Sequence, residues 1–407
     1  KPMAYAIYRD LIFGPNFWFW LLKNKIDKNF IKKFRSTKVI MKNNEKESLM
    51  YDCRGCAAKI PQDVLNTALI NANLSSFASS PEDSVEIYKN YSDIVLQSVD
   101  GFPALLSDPW LNAKITTLHA CSDIWACGAK LSSAQATITL PKLDKDFQNY
   151  LCTQCLQGIK STVEDLGGKL VGGHTFESRS SVNNPYSLGI EISLTVQGVL
   201  HKGAKPWLKS GIQPGDILMM SRPLGVGIFF AGQMQNLNLK DSSDEIMKNL
   251  VKSQQNLIDQ IYLLQDKFGE RVVNAATDIT GYGFMGHLKE MVESTNLSRK
   301  KSDLPKIKVL LDLFAFKAYP GVFNLIRKKI KSTLYESNKE IIESFLEENW
   351  NDRSICFLNE NTIDNHIFSE IISLLIDPQT CGPLLISCDQ KYERLLKKNW
   401  YKVGEVI

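Results

Sequence analysis

The stretch Cys53-Arg54-Gly55-Cys56-Ala57-Ala58-Lys59 sets thiols beside an ammonium. A cation three residues from Cys56 lowers the thiol's proton affinity and makes its sulfur a nucleophile. Cys53 and Cys56 also suit a redox dithiol or, joined by Cys152 and Cys155, a four-thiolate zinc site. Cys155 argues against zinc, because it falls on the apolar stripe of a predicted helix and belongs in a core. Cys121, Cys127, Cys356, Cys381 and Cys388 lie in apolar stretches and read as core residues. A second constellation is acidic. Glu82-Asp83 follows Ser79-Ser80-Pro81, Asp100 ends an apolar run, Asp123 follows Ser122, Asp278 opens Asp278-Ile279-Thr280-Gly281-Tyr282-Gly283, and Asp377 opens Asp377-Pro378-Gln379-Thr380. Alone, each is a turn or cap residue by preference. Converging on one cleft, they would be hard-oxygen ligands for Mg²⁺, which in turn holds phosphate oxygens. Glycine-rich turns form the third set: Gly172-Gly173-His174-Thr175, Pro223-Leu224-Gly225-Val226-Gly227 and Gly281-Tyr282-Gly283. Glycines let backbone N–H groups approach a phosphate, and His174 is placed to assist. His119 and His287 read as structural histidines. Neither a P-loop nor a dinucleotide-binding fingerprint is present.

These groups need elements to carry them. Apolar runs and alternation predict strands over 94–99, 131–140, 190–196, 217–220, 307–311 and 384–387. Phe147, Leu151, Cys155, Ile159 and Val163 mark one face of a helix that Gly167 and Gly168 stop. A second helix is predicted over 246–268. Strands and helices mix without a strict βαβ rhythm, which points to an α+β fold. A chain of 407 residues is more than one core usually supports. The turn at 211–215 divides the body into 51–208 and 209–407. Residues 1–50 differ, with eleven Lys and Arg against four Asp and Glu. Leu22, Ile26, Phe30 and Phe34 recur every fourth residue behind the aromatic cluster Phe17, Trp18, Phe19 and Trp20. That spacing predicts a basic amphipathic helix over 17–35, docked on a neighbouring domain or lying on a membrane surface, and a polar linker over 37–50. A start at Lys1 reads as a piece of a longer chain. A net charge of +4 gives no footprint for nucleic acid, and nine cysteines are too few for a disulfide scaffold. With no apolar run long enough to cross a bilayer and no secretory cleavage site, the expected location is cytoplasmic, peripheral at a membrane if the helix over 17–35 inserts.

Taken in order, these motifs resemble the selenide, water dikinase (selenophosphate synthetase) family over 51–407. The matching stretches are Cys56 with Lys59, Glu82-Asp83-Ser84, Val99-Asp100, Asp108-Pro109, Ser122-Asp123-Ile124, 172–175, 222–227, 278–283 and 377–380. The resemblance implies a two-domain fold like that of the aminoimidazole ribonucleotide synthetases. Its N-terminal half binds ATP and forms homodimers, and its C-terminal half is α/β. It implies a reaction of ATP, selenide and water that gives selenophosphate, AMP and phosphate. Cys56 would handle selenium, supplied as free selenide or by a protein-bound donor, with Lys59 stabilising phosphate charge. Asp83, Asp123 and Asp278 would hold Mg²⁺. Lys59, Glu82, Asp100, Asp123, Gly172, Gly173 and His174 would line the nucleotide. Residues 1–50 resemble the last segment of a fused oxidoreductase of the type II NADH dehydrogenase kind. Departures stand at Glu82, His119, Arg222 and Pro383. Two other readings share the motifs: a kinase of the same architecture with another acceptor, and an ATP-binding redox-linked module with a different acceptor or none.

Overall fold

The computed structural model describes residues 4–8, 11–16, 18, 21, 25, 58–59, 62–72, 74, 81–89, 93–178, 189–235, 237, 240–346, 353–358, 360 and 362–407. Near the start, β1 (Ala4–Tyr8) and β2 (Leu11–Asn16) pair antiparallel. Of the segment expected to form a basic amphipathic helix, Trp18, Leu21 and Lys25 are described, and all three are helical. The rest of 17–35, the linker and both Cys53 and Cys56 lie outside the described residues.

The body begins with α1 (Gln62–Asn71), followed by β3 (Val85–Lys89), β4 (Ile94–Pro103), α2 (Pro109–Ala126), β5 (Ala129–Leu140), α3 (Lys145–Asp165), β6 (Lys169–Glu177) and β7 (Glu191–Leu200). Its five strands form one sheet in the order β3-β4-β7-β5-β6, with only β5 and β6 parallel. In β7, Ile192, Leu194 and Val196 are buried while the residues between them are not, the period-two pattern of a strand with one covered face. Helix α2 covers that face and is buried along most of its length. Asp108 starts it as an N-cap, its carboxylate accepting from the Leu111 N–H at 3.0 Å, and Pro109 follows where no donor is needed.

The second sheet has the order β11-β10-β13-β8-β12-β9. It is built from β8 (Asp216–Met220), β9 (Val273–Asp278), β10 (Val309–Leu311), β11 (Ile355–Phe357), β12 (Leu384–Asp389) and β13 (Tyr401–Val406). Helices α4 (Val226–Met234), α5 (Lys240–Leu250), α6 (Gln255–Phe268) and α7 (Gly283–Lys301) belong to this half. Buried residues of both sheets and of α2 join in a single continuous core.

One expectation fails locally. The helix predicted over 246–268 is two helices, α5 and α6. Between them the Lys252 carbonyl accepts from the Arg222 guanidinium, and the Ser253 hydroxyl accepts the Gln255 N–H at 3.0 Å. Side chains here take backbone groups that a continuous helix would pair.

Candidate active site

Ser98 and Asp100 share one face of β4 at a spacing of two, while Val99 faces the other way and is 65% exposed. On α2, His119 and Asp123 lie one turn apart and meet that face. The Ser98 hydroxyl bonds Asp123. The neighbouring Ser122 hydroxyl bonds Asp278, which the last position of β9 delivers from the other half of the chain. Asp83 enters from the turn before β3, where Thr277 bonds it at 3.3 Å. Ser98, Asp83, Asp100, Asp123 and Asp278 line one cleft of about 690 Å³, together with Lys59, Gln62, Glu82, Lys209, Tyr282, His287 and Glu290, while His119, Ser122 and Thr277 stand behind its wall. Asp83, Asp100, Asp123 and Asp278 are therefore brought together, as the sequence led us to expect.

Positive charge and N–H donors are distributed against this acidity. Lys59 Nζ stands 3.5 Å from Asp100 Oδ2, and His119 Nε2 stands 3.3 Å from the same oxygen. Burial works to raise the Asp100 carboxyl, but Lys59 and His119 overcome it and hold the group below the usual carboxylate range. The Cys381 N–H donates to His119 Nδ1 at 3.2 Å, which leaves the ring proton on Nε2, facing Asp100. Deeper in, Lys209 Nζ lies 2.8 Å from both Asp83 and Glu290. The Lys209 N–H donates to Glu82 at 3.0 Å, and Gln62 donates to Glu290 at 2.9 Å. Burial disfavours a charged Glu290, yet Lys209 prevails and lowers it to about 2. Asp123 goes the other way. Withdrawal from water, then repulsion from Asp278, Asp100 and Asp83, pushes its carboxyl well above the ordinary value. Burial also raises Asp83 and Glu82.

Repelled carboxylates facing one cleft are a donor set that lacks positive charge. Among the described residues no three such groups stand close enough to cage a bare ion. Mg²⁺ does not require that, since it keeps several waters and binds through one or two carboxylates plus substrate phosphates. The residues present fit Mg²⁺ in that manner.

Several expectations need correction. Asp377 does not reach the cleft. It accepts from the Gly227 N–H at 3.0 Å, while Gln379 accepts from the N–H groups of Gly225 and Val226. The glycine turn at 223–227 thus spends its donors inside the protein and has none for phosphate. Arg222 is likewise internal on one side, donating to the Cys381 carbonyl at 2.8 Å. Gly172, Gly173 and His174 lie on β6 at the sheet edge, exposed and outside the lining of the cleft. His287 is not merely structural, since it lines the cleft beside Glu290 and Thr280. Cys155 packs in the core as expected, its thiol pushed up to about 12 by burial. Sequence reasoning missed Lys209, Glu290 and Ser98. Lys209 and Glu290 sit in stretches with no motif, and only the fold shows them paired.

Fold and site together define an AIR synthase related protein. The N-terminal domain of that family matches residues 85–200 and the C-terminal domain matches 213–308, more than half of the chain between them. Selenide, water dikinase 2 of Peptoclostridium acidaminophilum is 26% identical over 88% of this chain and 91% of its own. The selenide, water dikinase of Caldanaerobacter subterraneus subsp. tengcongensis is 28% identical over 84% and 90%. Within the class, these relatives, which match most of the chain, support a place in the selenide, water dikinase family of enzymes. The fold also superposes on thiamine monophosphate kinase from Aquifex aeolicus with a TM-score of 0.55, at 14% identity over 83% of this chain and 93% of the other. A further structure, AaThiL complexed with AMPPCP and TMP, gives 0.54 at 15% identity over 84% and 88%. No helix among the described residues is long and apolar enough to cross a membrane.

Proposed function

We propose that the chain makes selenophosphate from selenide, ATP and water, releasing AMP and phosphate. The observation that carries this reading is the single cleft in which Lys59, Asp83, Asp100, Asp123 and Asp278 converge from both halves of the chain. Phosphoryl transfer asks a protein chiefly to position reactants and neutralise charge. Asp83, Asp123 and Asp278 are the residues that would hold Mg²⁺, which offsets repulsion between the carboxylates and the polyphosphate when bound. Lys59 sits beside Asp100 at the cleft wall, where its ammonium can meet phosphate charge. Glu82 and Asp100 border the nucleotide. Cys56 is the selenium-handling nucleophile of this proposal.

Homodimer formation belongs to the same proposal. Val85, Ile87, Tyr88, Val99, Val171 and Phe176 on β3, β4 and β6 are all exposed apolar residues of one sheet, and a second copy could cover them. In such a dimer β6 would bring Gly172, Gly173 and His174 to a nucleotide that they do not reach within one copy. Residues 1–50 complete the proposal as the tail of a fused oxidoreductase with peripheral membrane contact through 17–35.

The test is release of AMP and phosphate from ATP and Mg²⁺, dependent on selenide. Asp278→Asn should abolish it, and Cys56→Ala and Lys59→Ala should lower it by at least about tenfold, the worth of one charge-assisted contact. Undiminished turnover in both of the latter variants removes the proposed chemistry. Turnover that depends on another acceptor favours a kinase of the same fold.

A further inference from the structure

A second cleft, of about 310 Å³, lies in the C-terminal half. It is formed by the end of β8, the break between α5 and α6, and the segment leading into β13. Its lining includes Arg222, Lys252, Lys317, Lys397 and Lys398, and no Asp or Glu. Arg222 is 5% exposed, and its partners are the carbonyls of Cys381 and Lys252. Burial works against its charge, and the ionisable groups that most favour it are Tyr319 and Cys381, with no carboxylate between them. A buried guanidinium without a counter-charge is costly unless an anion supplies one. Trp400, from the same lining, is 2% exposed, and its indole Nε1 has no hydrogen-bond partner. A buried N–H donor left unmatched carries a desolvation cost that an acceptor would remove.

These observations share one sign: positive charge in excess, with no carboxylate in the lining to balance it. Lys317 is held over the Tyr401 ring at 4.5 Å, and the Tyr401 hydroxyl donates to the Arg222 carbonyl at 2.9 Å, so this wall is ordered rather than a loose fringe of lysines. We propose that the cleft binds a small phosphate-type oxyanion, as the free ion or as a phosphate monoester. The site is separate from the acidic cleft, with which it shares no lining residue.

The test uses the full chain labelled with ¹⁵N at its seven tryptophans, the Trp400 indole signal being assigned with Trp400→Phe. Inorganic phosphate is titrated at constant ionic strength, and AMP is titrated in a parallel arm. The Trp400 indole N–H should move downfield and saturate. The exposed-residue variant Lys252→Gln/Lys398→Gln should weaken the apparent affinity by about tenfold, the loss of one charge-assisted contact. Movement with phosphate alone identifies the free ion, and equal movement with AMP identifies a monoester; both sustain the proposal. A signal that stays still with both, that moves equally with chloride, or that titrates unchanged in the double variant overturns it. Selenide-dependent turnover is not the readout, so failure here leaves the proposed reaction untouched.

Discussion

Lys209 shows how much one side chain can decide. It is buried between Asp83 and Glu290 and also fixes Glu82 through its backbone N–H. Lys209→Met would leave two acidic groups without their cation, and removing one partner of a buried pair costs about 3–5 kcal/mol. Chemical denaturation should register that loss, and a cost under about 1 kcal/mol would mean that water already screens the pair. Asp123 behaves in the opposite sense. Its raised carboxyl binds a proton more tightly in the native chain than in the unfolded one, whose value is about 3.9. Stability from this group is complete below that value and drains away as pH climbs towards the raised one. Without metal, Asp123→Asn should therefore melt above the parent protein at pH 7 and converge with it below about pH 4. Mg²⁺ should raise the parent's Tm more than the variant's. Parallel melting curves from pH 4 to 8 would show that Asp123 titrates normally.

At the scale of elements, the turn between α2 and the second sheet carries the most. Residues 381–384 are gripped from several sides. Cys381 donates to His119, its carbonyl accepts from Arg222, Gln254 donates to the Gly382 carbonyl at 2.9 Å, and Ser221 accepts the Leu384 N–H at 2.8 Å. The Pro383 carbonyl accepts the Ile279 N–H at 2.8 Å, which ties this turn to the residue after Asp278. Gly382 is different. A Cβ there would stand 1.9 Å from the Ile279 carbonyl, one residue past Asp278. Gly382→Ala should destabilise the protein by about 1–3 kcal/mol, as overpacking does, and should lower turnover by displacing Asp278. Thermal melting and selenide-dependent AMP release measure the two effects. Gly227 is fixed by the same logic, with Asp377 and the Pro378 carbonyl each 2.5 Å from the position of a Cβ.

At the scale of the molecule, the cleft exists only where the two halves of the chain meet. Ser122 of α2 bonds Asp278 of β9, Thr277 bonds Asp83, and Gln62 bonds Glu290 on α7. With one continuous core joining the halves, calorimetry should show a single cooperative transition. Two separated transitions would mean that the halves unfold independently and that the cleft opens first.

The sequence alone determined the α+β class, most strand positions and the acidic residues of the cleft, because period-two burial and Asp at strand ends are local signals. It misjudged Asp377 and the glycine turn at 223–227, which look like a ligand and a phosphate loop until the fold joins them to each other. It also ran one helix through the break that Arg222 and Ser253 impose. Lys209 and Glu290 had no motif to announce them, and the motif at 222–227 gave no sign of the basic cleft around Arg222. Their meaning rests on which charges come within a few ångströms although they are far apart along the chain, and only tertiary packing sets that distance.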